Sequence, residues 1–442
     1  MKVNFVPFNQ QQKYNQSFKS NITIDIGGSQ REGSCKVYYA STSKDEEFYS
    51  EQKTVNDLGK DRFENDKEFV QQIVNKIKRV QDASRPIVEL KGYEQKENSL
   101  QNVAIFLPSY TNGDYAFYLP NLRNDMDKPL KDLDFTNFKE RLAAAGVEVS
   151  EDMHFKLLQD AMGTGLATAK RLYENGMLEE GNLYTACITG GGCGIANIEA
   201  VDKNSIIIKS SGSSYLSQGL NLQKVSKAGA SAPALIENFC RAMGFNDEII
   251  SDLKSCHKAE FVLSDEVTYQ KDPRTEKLKG FLADTKIFDI VDENEKEYTV
   301  KLKEEYAEKY DKARRNAIDK YCLALASFAI IKKNEGINGM IVTGKLAKAI
   351  NETALKKYKN GLGDWVMQHL MQSFNSYELD KLQDVYDFKV LCDERFFIEN
   401  NTECGELVHL ARFIGNKRFN WLKLDVESLR QLAKKKGTMI LK

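Results

Sequence analysis

The sequence predicts a layered α/β fold whose ligand sites lie at the ends of strands. Short β-branched or apolar runs alternate with helical patterns, and glycine-rich turns follow directly after several of these runs. A chain of 442 residues is also too long for one ordinary core, which favours two domains or one large bilobal unit. In such folds, ligands bind at the carboxyl ends of strands.

The N-terminal part of the chain shows strand patterns before its first helices. Residues 1–19 are polar and predict a loose arm, and the charged residues 41–65 predict a loop. Two β-branched runs around a glycine turn predict a hairpin. The predicted elements are strands over Ile22–Ile26, Lys36–Ala40, Val103–Leu107 and Phe155–Leu158, and helices over Glu68–Val80, Phe135–Ala145 and Ala161–Tyr173.

The rest of the chain repeats the alternation of strands and helices. Residues 265–300 are charged and predict only short strands. Their pattern does not indicate a function. The predicted elements are strands over Tyr184–Thr189, Ile195–Glu199, Ser205–Lys209, Gly339–Thr343 and Lys389–Cys392, and helices over 230–260, Glu305–Lys333, Lys345–Tyr358 and Asp425–Lys436.

Composition excludes several classes of function. The formal net charge is −1, so there is no basic excess for binding a nucleic-acid backbone. No apolar run is long enough to cross a membrane, and no apolar signal segment opens the chain. The eight cysteines form no CxxC pair, which argues against zinc and indicates reduced thiols in a cytoplasmic protein. The motifs GxxxxGK[ST] and GxSxG are absent.

The first glycine turn follows a strand and an acidic residue. It reads Asp25-Ile26-Gly27-Gly28-Ser29. Residues without a Cβ atom let backbone N–H groups approach a phosphate closely, and Asp25 is placed to hold a hydrated Mg²⁺. The alternative is a plain hairpin turn.

Two later glycine turns also follow directly after a predicted strand. Thr189-Gly190-Gly191-Gly192-Cys193-Gly194 carries four glycines between two apolar strands. Glycines within regular structure are unfavourable for stability, because each loses more conformational entropy on folding than other residues do. A set of backbone amides that bind an anion therefore explains the run better than a flexible loop does. Gly344 and Lys345 join a strand to a helix and suit the ribose or phosphate of a nucleotide, although any βα unit looks similar.

Asp160 is the candidate catalytic residue. It follows an apolar strand and opens a helix of small residues in the stretch Gln159–Thr168. A carboxylate there either caps the helix or acts as a general base that takes a proton from a hydroxyl during phosphoryl transfer.

The order of these turns resembles the superfamily of hexokinases, ROK sugar kinases and actin. Residues 22–29 resemble its first phosphate motif, QDAMGTGLAT resembles the hexokinase segment NDTVGT, and GGGCGIANIE is similar to the second phosphate motif. Residues 341–346 resemble the adenosine motif, and the stretch from Pro108 to Leu122 is similar to the sugar-binding segment. These motifs run from about residue 22 to about residue 350.

The resemblance implies two RNase H-like lobes, as in actin-like ATPases, with a central cleft. The expected division is an arm over 1–19, a small lobe over 20–158, a large lobe with the ATP site over 159–424, and a C-terminal helix over 425–442 against the small lobe. The implied activity is ATP-dependent phosphorylation of a hexose hydroxyl. Asp160 would be the base, and Asp25 would hold Mg²⁺ through water. The cofactor contacts would be Asp25, Gly27, Gly28, Ser29, Thr189, Gly190, Gly191, Gly192, Gly344 and Lys345; the sugar contacts would be Ser109, Asn121, Gln159 and Asp160.

The sugar side departs from the family pattern more than the nucleotide side does. Gln159 replaces the Asn before the catalytic Asp, and Gly194 replaces an Asn of the second phosphate motif. The family's sugar-binding Glu has no match; residues 210–220 offer only Ser213, Ser214, Tyr215 and Gln218. Two alternatives therefore stay open, a non-catalytic sugar or nucleotide sensor and an actin-like structural ATPase. The expected partner is a small sugar, without nucleic acid or membrane, and a homodimer is left open.

Overall fold

The computed structural model describes residues 19–26, 35–42, 47–55, 64–90, 99–123, 128–211, 229–373, 387–398, 401–414 and 421–432. Among these residues, no helix is long and apolar enough to cross a membrane.

The first sheet is mixed and contains the strands β1 (Lys19–Ile26), β2 (Cys35–Thr42), β3 (Glu47–Val55), β4 (Leu100–Leu107) and β8 (Val149–Gln159). Their order in the sheet is β3-β2-β1-β4-β8. The first three strands of the chain form antiparallel pairs, whereas β4 runs parallel to β1 and β8 runs parallel to β4. Two helices, α1 (Asp66–Leu90) and α2 (Phe138–Ala144), share one apolar core with this sheet.

The second sheet repeats this order and extends it. Its strands are β9 (Leu183–Thr189), β10 (Cys193–Asp202), β11 (Ser205–Ser211), β15 (Gly339–Thr343), β16 (Lys389–Leu391), β17 (Arg412–Phe413) and β18 (Trp421–Asp425). Their order in the sheet is β16-β15-β9-β10-β11-β18-β17. Neighbouring strands from β9 across to β17 pair antiparallel, whereas β15 runs parallel to β9 and β16 runs parallel to β15.

Each sheet thus contains three consecutive antiparallel strands. Two later parallel strands are added one after the other beside the first of these three. Counted in chain order within each unit, the five strands lie in the order third, second, first, fourth and fifth in both sheets. This is the arrangement of two RNase H-like units, and the predicted fold class is confirmed.

Helices cover both faces of the second sheet. One face carries α4 (Ala232–Met243), α5 (Asp247–Ser255), α6 (Glu260–Leu263), α8 (Ala307–Asn334), α9 (Lys345–Tyr358) and α10 (Leu362–Gln372) over the largest apolar core. The other face carries α3 (Asp160–Glu174). A Cβ atom on Gly165 of α3 would lie 2.7 Å from Ile208 and 2.8 Å from Ala196. Glycine therefore lets this helix lie directly on the sheet.

Two small sheets are added to this framework. One consists of β5 (Tyr110–Asn112), β6 (Tyr115–Arg123) and β7 (Pro129–Asp134). The other consists of β12 (Glu266–Gln270), β13 (Phe288–Val291) and β14 (Glu297–Leu302), with the helix α7 (Pro273–Asp284) between its first two strands. The fully buried Arg314 of α8 pairs with Asp265, just before β12, and donates to the carbonyl of Val262 at 3.0 Å.

A C-terminal segment links the first sheet to α3. It contains a turn of 3₁₀ helix, Asn401–Cys404, and the helix α11 (Leu407–Leu410). Thr23 of β1 donates to the carbonyl of Gly405 at 3.1 Å, and Lys156 of β8 donates to the carbonyl of Val408 at 2.7 Å. Burial lowers the pKa of Lys156 to about 8. This segment holds the residues around Asn401 against the edge of the first sheet.

Most predicted elements are present, and the exceptions have physical reasons. The predicted loop over 41–65 contains β3, an edge strand, where charged residues are tolerated. The predicted helix over 230–260 is broken where Gly244 and His257 adopt positive φ angles of 81° and 54°. Residues 265–300 contain the helix α7, which Asp272 caps through the N–H groups of Arg274 and Thr275. At the C-terminus, a strand precedes a helix that the structure describes over 426–432.

Candidate active site

Two carboxylates lie at the same edge of the first sheet. Asp25 is the penultimate residue of β1, and Asp160 follows the last residue of β8. Both strands run parallel to β4, which lies between them. Their carboxyl ends therefore meet at one edge, which is where ligands generally bind in α/β folds.

Asp160 has a strongly perturbed acidity. Burial raises the pKa of its carboxyl group to about 7, and the nearby charge of Asp25 raises it further, against the opposing effect of a hydrogen bond from the Ala161 N–H. That N–H donates to Oδ1 at 2.7 Å. A carboxyl group with a pKa near neutrality can accept and release a proton under physiological conditions.

Asp25 is held by Asn401. The main-chain N–H of Asn401 donates to Oδ2 of Asp25 at 3.2 Å, and its Nδ2 donates to Oδ1 at 3.0 Å. The hydroxyl of Thr164 donates to Oδ1 of Asn401 at 2.8 Å. A Cβ atom on Gly163 would lie 2.6 Å from the Cβ of Asn401, so glycine is needed for α3 to approach this residue.

Asn401 is a candidate site residue that no sequence motif predicts. It lies 376 residues after Asp25 and follows no glycine turn or strand motif. Nothing in the sequence pattern marks it, because its role depends on a contact between distant segments.

The glycine run after β9 forms a tight hairpin that leads into β10. Gly190 N–H donates to the carbonyl of Gly192 at 2.9 Å. Within the described part of the chain, no group accepts a hydrogen bond from the N–H of Gly191 or Gly192. A Cβ atom on Gly190 or Gly192 would meet nothing within 4 Å. Among the described residues, neighbouring protein atoms therefore do not require glycine at Gly190 or Gly192.

Hydrogen bonds to three other elements, α4, α8 and β15, hold the hairpin in place. The Ala232 N–H at the start of α4 donates to the carbonyl of Gly190 at 2.8 Å. The hydroxyl of Tyr321 on α8 donates to Oγ1 of Thr189 at 2.7 Å, and Thr189 donates to the carbonyl of Thr343 on β15 at 3.4 Å. The buried Thr189 therefore supports the hairpin rather than facing solvent.

Gly344 occupies a position that only glycine can fill without strain. Its φ angle is 99°, and a Cβ atom there would lie 2.5 Å from the carbonyl oxygen of Thr189 and 3.0 Å from the Thr189 nitrogen. The close approach of β15 to β9 requires this residue. Lys345, the first residue of α9, is exposed beside it.

The carboxyl edges of the two sheets meet. The Cβ position of Gly194, at the start of β10, lies 3.4 Å from the Cβ of Ala161, the neighbour of Asp160. This position also lies 2.7 Å from the side chain of Ile188, so a larger residue at Gly194 would require Ile188 to move. Ile398 lies three residues before Asn401, and its main-chain N–H donates to Oγ1 of Thr343 at 2.7 Å.

The other predicted contacts are less informative. The hydroxyl of Ser109 is buried and bonds to the carbonyls of Phe117 and Tyr110 in the small sheet. Gln159 is half-buried beside Asp160. Asn121 lies on β6, but its side chain is outside the described residues, as are Gly27, Gly28, Ser29 and the stretch 212–228.

The carboxylates fit a magnesium ion held through water. Mg²⁺ prefers oxygen ligands and binds through one or two carboxylates, waters and substrate phosphates. Each oxygen of Asp25 accepts a hydrogen bond from Asn401, and a carboxylate oxygen in general can accept more than one hydrogen bond. In the described ranges, no cluster of three or more His, Cys, Asp or Glu residues could hold a metal.

No protein-family model matches the chain, and no curated protein matches it in sequence. Its structure is similar to that of a glucokinase from Balamuthia mandrillaris bound to glucose, with a TM-score of 0.48 and 11% identity over 89% of this chain and 94% of that one. It is also similar to a ROK family glucokinase from Streptomyces griseus bound to glucose and AMPPNP, with a TM-score of 0.37 and 12% identity over 80% and 88% of the two chains. A third similar structure is a ROK family transcriptional regulator, a homologue of the E. coli MLC protein, with a TM-score of 0.44 and 10% identity over 84% and 73%. The fold is assigned from the strand order of the two sheets and not from these similarities.

Proposed function

We propose that this chain is an ATP-dependent kinase that phosphorylates a hydroxyl group of a hexose. One observation carries the proposal. Asp160, whose pKa is raised to about 7, lies where the edge of the first sheet meets a hairpin in which two N–H groups, those of Gly191 and Gly192, have no acceptor among the described residues. This combination suits the transfer of a phosphoryl group to a hydroxyl.

Asp160 is the general base in this proposal. As the substrate oxygen attacks the γ-phosphorus of ATP, its proton moves to the carboxylate of Asp160, and ADP leaves. A base is most effective when its pKa lies near the working pH. Burial and the charge of Asp25 supply that shift.

The glycine hairpin and the start of α9 would hold the nucleotide. The N–H groups of Gly191 and Gly192 would donate to phosphate oxygens, and the close approach at Gly344 would let the nucleotide lie against the ends of β9 and β15. Asp25, oriented by Asn401, would hold the waters of a magnesium ion. When bound, this ion supplies positive charge that stabilises the charge on the transferred phosphoryl group.

A second function, a non-catalytic sugar or nucleotide sensor, is favoured by one feature. The hydroxyl of Ser109 bonds to backbone carbonyls, and the sugar-binding Glu of the resembling family has no counterpart in the sequence. A sensor, however, has no need for a carboxyl group with a pKa near 7. A structural ATPase is the third candidate, and light scattering in the presence of ATP would detect its filaments.

A coupled assay of ADP release tests the proposal. The protein is mixed with ATP and Mg²⁺ and challenged with hexoses, amino sugars and N-acetylated sugars. We expect sugar-dependent ADP release from the wild type and none from Asp160→Asn, which removes the base but keeps the shape of the side chain. Nucleotide binding without release on any sugar would contradict the kinase and support the sensor. Equal turnover by Asp160→Asn would remove Asp160 as the base.

A further inference from the structure

The side chain of Thr343 makes two hydrogen bonds to a segment close to Asn401. Thr343 is the last residue of β15, follows four nonpolar residues and is fully buried. Its hydroxyl donates to the carbonyl of Phe396 at 2.9 Å and accepts a hydrogen bond from the main-chain N–H of Ile398 at 2.7 Å. Because the two partners are two residues apart, one side chain fixes the backbone of the segment 396–398 at both ends.

The main chain of Thr343 belongs to the nucleotide side of the candidate site. Thr343 pairs with Ile188 on β9, and its carbonyl accepts a hydrogen bond from the hydroxyl of Thr189 at 3.4 Å. Thr189 leads into the glycine hairpin, and Gly344 follows Thr343 directly. Thr343 therefore contacts the strand of the hairpin through its main chain and the segment 396–398 through its side chain.

The segment 396–398 leads to the residue that holds Asp25. Asn401 lies three residues after Ile398, and three residues of chain span at most about 11 Å. Asn401 donates to the two oxygens of Asp25 at 3.2 Å and 3.0 Å. The position of Ile398 thus limits where Asn401 can lie, in addition to the hydrogen bond that Asn401 accepts from Thr164 on α3.

We propose that Thr343 is a positioning residue that sets the place of Asn401 and, through it, the orientation of Asp25 towards the magnesium ion. This inference rests on the proposed kinase function. Phe396 and Ile398 are fully buried, so without the hydroxyl their backbone carbonyl and N–H would be left unpaired, which is unfavourable. The segment would shift to satisfy them and would move the two donors of Asn401 away from Asp25.

Calorimetric titration of ADP at a series of Mg²⁺ concentrations tests this role without turnover. We expect ADP affinity to increase with Mg²⁺. Thr343→Val keeps the size of the side chain but loses the hydroxyl. It should raise the Mg²⁺ concentration needed for half of this increase about tenfold, the low end of the usual effect of removing a group that orients a metal-binding residue. The affinity for ADP without Mg²⁺ should stay within about twofold of the wild type, a change of less than about 0.5 kcal/mol.

Two further variants restore the hydroxyl or weaken the hydrogen bonds. Thr343→Ser keeps the hydroxyl, and its Mg²⁺ dependence should be close to that of the wild type. Thr343→Cys keeps a thiol, which is a weak donor and a weak acceptor. Its Mg²⁺ dependence should lie between those of Thr343→Ser and Thr343→Val, and it replaces Thr343→Val in the test if that variant does not fold.

Thr275→Val is the matched control for the loss of a buried hydroxyl. Thr275 lies on α7, is buried, donates to the carbonyl of Gln270 at 2.7 Å and accepts a hydrogen bond from the Asp272 N–H at 2.8 Å. Its two partners are also two residues apart, and no candidate site residue lies on α7. Thr275→Val should unfold at a lower temperature than the wild type, as Thr343→Val should, but with an unchanged Mg²⁺ dependence.

The outcomes distinguish the inference from the function on which it rests. If Thr343→Val unfolds at a lower temperature but keeps the Mg²⁺ dependence of the wild type, Thr343 is only structural and the kinase proposal stands. If Thr343→Val weakens ADP binding equally with and without Mg²⁺, Thr343 supports the hairpin and not Asp25, and the inference is wrong. If the wild type binds neither ADP nor ATP, the proposed function itself fails.

Discussion

The main-chain N–H and the side-chain amide of Asn401 each donate a hydrogen bond to one oxygen of Asp25, at 3.2 Å and 3.0 Å. The amide oxygen of Asn401 in turn accepts a hydrogen bond from Thr164 on the helix that Asp160 begins. A single buried residue therefore connects the end of β1, which carries Asp25, to the helix α3 that Asp160 begins.

The first prediction concerns this connection. Asn401→Ala should lower kcat/KM about 10- to 100-fold, the usual effect of removing a residue that orients a metal-binding carboxylate. It should also raise the Mg²⁺ concentration needed for half-maximal activity, because Asp25 is no longer oriented. Steady-state assays across a Mg²⁺ series measure both.

Thr164→Val is the matched control, since it removes only the hydroxyl that orients Asn401. A smaller decrease than for Asn401→Ala is expected. An unchanged Mg²⁺ dependence in Asn401→Ala would show that Asp25 does not bind the metal.

The second prediction concerns the dependence of the rate on pH. The general base must be deprotonated to accept a proton, and the pKa of Asp160 is raised to about 7. We therefore expect kcat/KM to rise with pH up to about 7 and then to level off. A rate that is constant between pH 5 and pH 8 would contradict the role of Asp160.

The third prediction concerns stability. The pKa of Asp160 in the folded chain lies above its ordinary value of 3.8. Folding therefore favours the protonated form of Asp160. The contribution of this group to the free energy of unfolding is fully present below about pH 4 and is lost as the pH rises to about 7. Asp160→Asn, which stays neutral, should melt at a higher temperature than the wild type at pH 8. Calorimetry at pH 4.5 and pH 8 tests this, and an advantage that does not grow with pH would refute it.

The fourth prediction contrasts two glycines of the nucleotide side. Gly192→Val should fold normally, because a Cβ atom there meets nothing within 4 Å, but its side chain should block the approach of phosphate and abolish ADP binding. Gly344→Val should lower the free energy of unfolding by roughly 2–4 kcal/mol, because it combines a strained backbone with a clash against Thr189.

Denaturant unfolding and ADP titration of both variants provide the measurement. Undiminished ADP binding by Gly192→Val would remove the hairpin from the nucleotide site. Wild-type stability in Gly344→Val would show that the close approach of β15 to β9 is not required.

Local patterns explain why much of the fold could be predicted. The strand Gly339–Thr343 and the helix Lys345–Tyr358 have the predicted bounds, because an apolar run, a glycine and an amphipathic helix are local signals. The strand β3 was missed because an edge strand need not be apolar. The breaks at Gly244 and His257 were missed because left-handed residues at helix ends leave a weak trace in sequence, especially when the residue is histidine.

The sequence by itself determined the alternation of strands, glycine turns and helices, and with it the edge of each sheet at which Asp25, Asp160 and the glycine run appear. Only the tertiary structure decided what these residues do together. Burial beside Asp25 sets the acidity of Asp160, and Asn401 reaches Asp25 across 376 residues. Acidity and orientation depend on burial and on contacts between distant segments, which no local pattern of residues encodes.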